Sequence, residues 1–126
     1  MRFAYVTLDE VNLLLARRLA ERAGLCLDTL TTDSELRTEK FDGFMYDFDS
    51  LPAECRSRLM RGPHTTPSKP VAVHSYNLAD RQSRALIHLK VVFAPTLSPD
   101  LFNRLCRRVL ASKRLAKRRC IEETGA

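Results

Sequence analysis

Five short runs of apolar, β-branched and aromatic residues recur along the chain, and segments of helical character separate them. Such runs, with little polar alternation, are typical of strands that are buried on both faces. Strands alternating with helices predict right-handed βαβ units and a parallel sheet that is covered on both sides. The strands are predicted within FAYVTL, LCLDTLTT, FDGFMYDFDSLP, VAVHSY and VVFAP, at residues 3–8, 25–32, 41–52, 71–76 and 91–95.

The first helix is the clearest in the pattern. Val11, Leu14, Leu15 and Leu19 recur at helical spacing, and Gly24 supplies a residue that readily adopts the left-handed conformation of a helix end. The remaining segments before the last helix are predicted as a short helix or turn at 33–40, a helix at 53–61, a loop at 62–70 and a helix within 78–90.

The last helix has a start signal at Ser98-Pro99-Asp100. Serine caps the first turn, proline suits the first helical position, and aspartate favours the positive end of the helix dipole. Apolar residues then recur at the spacing of one helix face, which predicts packing against the sheet. These residues are Phe102, Leu105, Cys106, Val109 and Leu110.

With 126 residues and 44% hydrophobic content, the chain fits one α/β domain with a single layered core. The expected architecture is a flavodoxin-like, doubly wound sheet of five parallel strands in the order 2-1-3-4-5. In that order the first and third strands are neighbours at the topological switch point. Ligands bind at the carboxyl ends of the strands there.

The net charge of +6 is concentrated at the end of the chain. Residues 1–103 carry 13 basic and 13 acidic side chains, so the whole excess belongs to residues 104–126. We therefore divide the chain into a domain at 1–112 and a basic extension of the last helix at 113–126.

Acidic side chains come directly after two strands that are predicted to be neighbours. Asp9 and Glu10 come after the first strand, and Asp47 and Asp49 end the third. Up to four carboxylates should therefore surround one crevice and offer the oxygen ligands that Mg²⁺ prefers. No P-loop, GxSxG or CxxC pattern is present, and the histidines and cysteines are scattered. We expect no enzyme activity.

Asp47, at the end of an apolar strand and shortly before Leu51-Pro52, makes the chain resemble a bacterial response-regulator receiver domain over Arg2 to Ser112. The resemblance implies that Asp47 is the phosphoacceptor. It implies that Asp9 and Glu10 are the acidic pair that binds Mg²⁺ together with Asp47. Ser75, after the fourth strand, resembles the hydroxyl residue that senses the phosphoryl group.

Three positions depart from the receiver pattern. Ala94 stands where receivers place a lysine that holds the phosphoryl oxygens, and Leu8 stands where an acid usually precedes Asp9, unless the acidic pair is shifted by one residue. Proline comes five residues after Asp47 rather than four. The expected function is therefore that of a pseudo-receiver, which signals through protein–protein interaction without conventional aspartyl phosphorylation.

Two other functions remain open from the sequence. One is a working single-domain response regulator, in which a histidine kinase phosphorylates Asp47 with Mg²⁺ as cofactor. The other is a nucleic-acid-associated module that uses the basic helix from Arg107 to Arg119. The site residues also have local alternatives: Asp9 as a helix cap, Asp49 as a turn former and Ser75 as a small polar residue at a strand end.

The last helix and the adjoining strand form the predicted partner surface. The expected partner is a signalling protein, either a histidine kinase or an output protein, with a second copy of the chain as an alternative. No apolar run is long enough to span a bilayer, so we expect a cytoplasmic protein without membrane insertion. The predicted partner-binding residues are Arg104, Arg107, Arg108, Lys113 and Arg114.

Overall fold

A computed structural model describes residues 1–32, 37–61 and 69–123 of the protein, with side chains up to residue 118. Five parallel strands form one sheet in the order β2-β1-β3-β4-β5, which confirms the predicted architecture. The strands are β1 (Arg2–Val6), β2 (Cys26–Leu30), β3 (Gly43–Asp47), β4 (Val71–His74) and β5 (Val92–Ala94). The helices are α1 (Glu10–Arg22), α2 (Ala53–Arg61), α3 (Asp80–His88) and α4 (Pro99–Glu123).

The observed strands are shorter than the apolar runs that predict them. β3 covers Gly43–Asp47, and a 3₁₀ turn at Phe48–Ser50 takes up the rest of its run. The helix predicted at 53–61 is confirmed with the same bounds. The segment predicted as a short helix or turn at 33–40 ends in a 3₁₀ turn at Thr38–Lys40, while 33–36 lie outside the described residues. Most of the predicted loop, 62–68, also lies outside them.

The core consists of two apolar layers, one on each face of the sheet. Successive strand side chains point to opposite faces, so Phe3 and Tyr5 of β1 face the layer under α1 and α4, whereas Ala4 and Val6 face the layer under α2 and α3. All four are fully buried. This double burial explains why the strands read as continuous apolar runs.

Helix α1 does not bury its most apolar face. Ala16 and Ala20 face the sheet and are buried, whereas Val11, Leu14 and Leu15 are 74%, 58% and 39% exposed. The apolar spacing correctly predicts a helix, but these three residues lie on its outer side. Alanine against the sheet brings the helix backbone close to it, and the larger side chains form an apolar stripe that faces solvent.

Helix α4 is anchored by its first half. Ser98 caps it as predicted, because its Oγ accepts a hydrogen bond from the Leu101 amide at 3.4 Å. Leu105 and Val109 are buried as expected, but Leu110 is 43% exposed, so its predicted place in the core is wrong. The fully buried Leu101 completes the inner face instead. Residues 110–118 are all exposed, so this part of α4 projects beyond the core.

The projecting part of α4 has one ion pair with the body of the domain, among the residues whose side chains are described. Lys113 Nζ lies 3.0 Å from Asp42 Oδ1, next to the start of β3. The helix is continuous across residue 112, so the basic extension and the domain share one helix. In the described part of the chain, no helix combines the length and the apolar character needed to cross a membrane.

Substitutions at two leucines test whether α4 has a packed first half and a projecting second half. Leu105→Ala should lower the free energy of unfolding by about 2–5 kcal/mol, because it leaves a cavity under a fully buried side chain. Leu115→Ala, at a site that is 55% exposed, should change it by less than about 0.5 kcal/mol. Urea unfolding followed by circular dichroism measures both, and equal losses in the two variants would contradict the division.

Candidate functional site

The site is set by the pairing of β1 with β3. Val6 pairs with Tyr46 in parallel register, so the next residues, Thr7 and Asp47, meet at the carboxyl edge of the sheet. Asp47 is only 2% exposed. Its Oδ2 accepts hydrogen bonds from Thr7 Oγ1 at 2.8 Å and from Asn12 Nδ2 at 2.9 Å. The predicted phosphoacceptor is therefore a buried carboxylate with fixed protein partners.

The second oxygen of Asp47 faces a histidine. His74, which pairs with Asp47 in the β3–β4 register, places its Nδ1 3.9 Å from Asp47 Oδ1. The other ring nitrogen, Nε2, lies 2.6 Å from the Tyr5 hydroxyl. His74, Asp47 and Tyr5 are all buried, so these three side chains form one chain of polar contacts across three strands.

The protonation of this chain of contacts depends on burial. Burial lowers the pKa of His74 below its usual value, although the carboxylates of Asp47, Asp49 and Asp9 act in the opposite direction. Burial and the charge of Asp47 raise the pKa of Tyr5. Burial therefore favours a protonated Tyr5 and a neutral His74, and in the tautomer in which Tyr5 donates, Nε2 is the acceptor. The remaining ring proton of His74 then lies on Nδ1, facing Asp47.

Asp49 lies outside this buried group and has its own partners. It is exposed in the 3₁₀ turn after β3, as the turn interpretation of the sequence suggests. Its Oδ1 accepts a hydrogen bond from Ser75 Oγ, and its Oδ2 accepts one from the Tyr76 amide at 2.9 Å. Ser75 therefore bonds Asp49, not Asp47, and the two third-strand carboxylates have different surroundings.

The carboxylates after β1 have surroundings that differ from those of Asp47. Asp9 is the N-cap of α1, where its Oδ1 accepts from the amides of Val11 at 2.8 Å and Asn12 at 3.1 Å, and Glu10 is exposed on the first turn. Within the described ranges, no three histidine, cysteine, aspartate or glutamate side chains are grouped to hold a metal ion. Asp9 Oδ1 and Asp47 Oδ2, one oxygen of each predicted Mg²⁺ ligand, already accept hydrogen bonds from protein donors.

Ala94 leaves the lysine position without a cation. It is the last residue of β5, is 7% exposed, and its carbonyl accepts a hydrogen bond from the Ser75 amide at 3.2 Å. The basic side chain that faces Asp47 is His74, which the lowered pKa keeps neutral. His74 therefore does not replace the missing charge.

The predicted partner residues on α4 fall into two groups. Arg104 Nη1 donates to the Phe93 carbonyl and Arg108 Nη1 to the Lys90 carbonyl, each at 2.8 Å, so both brace the helix against β5 and the turn before it. Lys113 is held by its ion pair with Asp42. These three form the group that contacts the domain, whereas Arg107 and Arg114 form the second group and are exposed on α4.

Four members of the buried group were not predicted from the sequence: Tyr5, Thr7, Asn12 and His74. The available signal was the strand register. Counting from the β1–β3 pairing puts Thr7 beside Asp47, whereas looking for acidic residues leads to Asp9, which lies two residues farther along. His74 directly precedes the predicted Ser75 and shares its strand end.

No protein-family model matches the chain, and no curated protein matches it significantly. Solved structures do match. An orphan response regulator of H. pylori, HP1043, aligns at a TM-score of 0.64 with 18% identity, over 86% of this chain and 96% of its own. A response regulator from Thermotoga maritima aligns at 0.65 with 18% identity over the same shares. A CheY-like receiver domain protein from Methanospirillum hungatei aligns at 0.64 with 16% identity, over 90% and 96%.

The chain has the receiver-domain fold. At this level of identity the similarity concerns the fold, and it confirms the CheY-like architecture expected from the sequence. The phosphoacceptor, sensing and metal roles of Asp47, Ser75, Asp9 and Glu10 remain predictions within that fold. For these residues the structure adds burial and hydrogen-bond partners, which the similarity alone does not provide.

Because His74 is buried, we expect the free energy of unfolding to depend on pH. In the unfolded chain His74 titrates near pH 6.5, but in the folded protein its pKa is lower. Between these values the unfolded state binds more protons, so acid favours unfolding. The stabilisation is complete above about pH 6.5 and is lost as the pH falls toward the folded pKa, by at most about 1.4 kcal/mol per pH unit.

Urea unfolding between pH 8 and pH 5 measures this effect. The difference in stability between the wild type and His74→Gln should shrink as the pH falls, because glutamine can still accept from Tyr5 but does not titrate. His88→Gln, which changes an exposed histidine of α3, should keep the pH dependence of the wild type. If the free energies of unfolding of the wild type and His74→Gln changed in parallel with pH, the lowered pKa of His74 would be contradicted.

Proposed function

We propose that this chain is a pseudo-receiver that acts in signalling through protein–protein contact and without conventional aspartyl phosphorylation. The burial of Asp47 supports this proposal most directly. A carboxylate that accepts phosphate must present a free oxygen to the donor in line with the leaving group. Asp47 is 2% exposed, its Oδ2 has two hydrogen-bond donors and its Oδ1 faces His74.

The electrostatics of the site also favour the proposal. Phosphoryl transfer to a carboxylate brings negative groups together, and a metal ion and a nearby cation normally offset their repulsion. In this chain Asp9 caps α1, Ala94 replaces the lysine, and His74 is neutral. The residues that would stabilise the transferring group are therefore engaged elsewhere, absent from their expected position or uncharged.

Asp49 does not replace Asp47 in this chemistry. It is exposed, but Ser75 Oγ and the Tyr76 amide occupy one oxygen each. These bonds hold the loop after β4 against the turn after β3. The hydroxyl that would sense a phosphoryl group thus already has a carboxylate partner within the chain, which supports a role for Ser75 other than sensing.

The proposed output surface is the exposed basic side of α4. Arg107 and Arg114 lie on it, while Arg104 and Arg108 fix the helix against the sheet. A positively charged surface favours a signalling partner with an acidic surface, and it speeds their encounter. The proposal assigns no catalytic step to the chain.

An amide NMR titration tests the absence of phosphorylation. Mg²⁺ is added first and beryllofluoride, a phosphoryl mimic, second, to the wild type, Asp47→Asn and Asp49→Asn. We expect no saturable response to the mimic in any of them, because Asp47 is buried with two donors on its Oδ2 and both oxygens of Asp49 accept hydrogen bonds. Shifts at Asp47 and Ser75 that vanish in Asp47→Asn and extend along α4 would instead support a working receiver.

Charge reversal on two helices tests the partner surface. Arg107→Glu with Arg114→Glu should abolish co-purification of the partner from cells of the source organism. Arg81→Glu with Arg84→Glu changes the net charge equally on the exposed side of α3 and should preserve it. Equal loss in both pairs would contradict a specific α4 surface. Loss on nuclease treatment would instead favour the nucleic-acid-associated module.

A further inference from the structure

A groove between α2 and α3 lies beside the exposed carboxylate of the site. It has a volume of about 540 Å³, within the range of small-molecule sites in proteins. Its apolar wall includes Phe48, Met60 and Leu78. Asp49 lies at one side of it, so the groove adjoins the turn after β3.

Arg56 of α2 lines this groove with its basic side chain. Its Nε is buried and, among the described residues, has no hydrogen-bond partner. The guanidinium lies over the ring of Phe48, 5.9 Å from the ring centroid, within cation–π distance. Because Nε is enclosed, the other guanidinium nitrogens are the donors that Arg56 can offer to a ligand in the groove.

The groove has an excess of positive charge. Arg61 lines it together with Arg56, whereas Asp49 is the carboxylate that contributes to it. Both oxygens of Asp49 already accept hydrogen bonds, from Ser75 and from the Tyr76 amide. Since the oxygens of Asp49 have partners within the chain, we expect Arg56 and Arg61 to provide the polar contacts to a ligand.

We propose that this groove binds a small amphipathic anion. A carboxylate or phosphate group of the ligand pairs with the Arg56 guanidinium, and an aromatic or aliphatic body packs against Phe48, Met60 and Leu78. The proposal does not depend on whether Asp47 is phosphorylated. It gives the domain a chemical input next to Asp49, whose carboxylate ties the turn after β3 to Ser75 after β4.

Amide NMR titrations with benzoate and phenyl phosphate as probes test the groove. Either probe should shift the signals of Phe48, Arg56 and Leu78 in a saturable way, and the tighter one identifies the preferred anion. Benzyl alcohol, which has the ring but no charge, should bind more weakly. Arg56→Gln should weaken anion binding by about 10-fold or more, because it removes a charge-assisted hydrogen bond.

Two variants separate the groove from general charge effects. Arg84→Gln removes an exposed arginine of α3 outside the groove and should leave binding unchanged. Ser57→Trp fills the groove while retaining Arg56, and should abolish binding with the thermal unfolding midpoint little changed. The absence of saturable shifts with both probes would overturn the proposal. Equal weakening by Arg56→Gln and Arg84→Gln, or full binding to Ser57→Trp, would also overturn it.

Discussion

The register of β1 against β3 determines which side chains meet at the carboxyl edge of the sheet. Both strands are buried on both faces, so a slip by one residue would turn every apolar side chain toward the wrong layer. The pairing of Val6 with Tyr46 is therefore fixed by the core, and it brings Thr7 to Asp47. Thr7 and Asp47 both adjoin this pairing, so the packing of apolar residues also sets the position of the Thr7 hydroxyl beside the carboxylate.

A buried carboxylate in such a position needs nearby donors, since desolvation of an unpaired charge is costly. Thr7 and Asn12 supply them, one from the end of β1 and the other from the inner side of α1. Ser50 adds to the same group: its Oγ donates to the Asp47 carbonyl at 3.1 Å and accepts from the Leu8 amide at 3.0 Å. The strand ends are thus joined by polar bonds that make the site part of the folded framework.

The sequence was sufficient for the fold because apolar runs and helix signals act locally. The Ser98 cap and the helix at 53–61 appear as expected. The site was harder to predict, because identifying its members requires the register between strands that are distant in the chain. Asp9 has the residue type of a metal ligand, but its position directly before α1 makes it a cap. The buried face of α1 is also hard to identify from the sequence, because Ala16 and Ala20 carry little hydrophobic signal although they are the buried residues of that helix.

The first half of α4 is packed against the sheet and residues 110–118 are exposed, so the two parts of the helix form with different free-energy costs. Starting a helix is unfavourable, whereas extending an existing one adds a hydrogen bond for each residue that becomes fixed. The turns packed around Leu105 provide a permanent starting segment, so the exposed turns after Val109 need only be extended from it. These turns span about 20 Å at 1.5 Å per residue. They can fray and re-form rapidly, and ordering them requires only the small free energy of extension and not that of initiation.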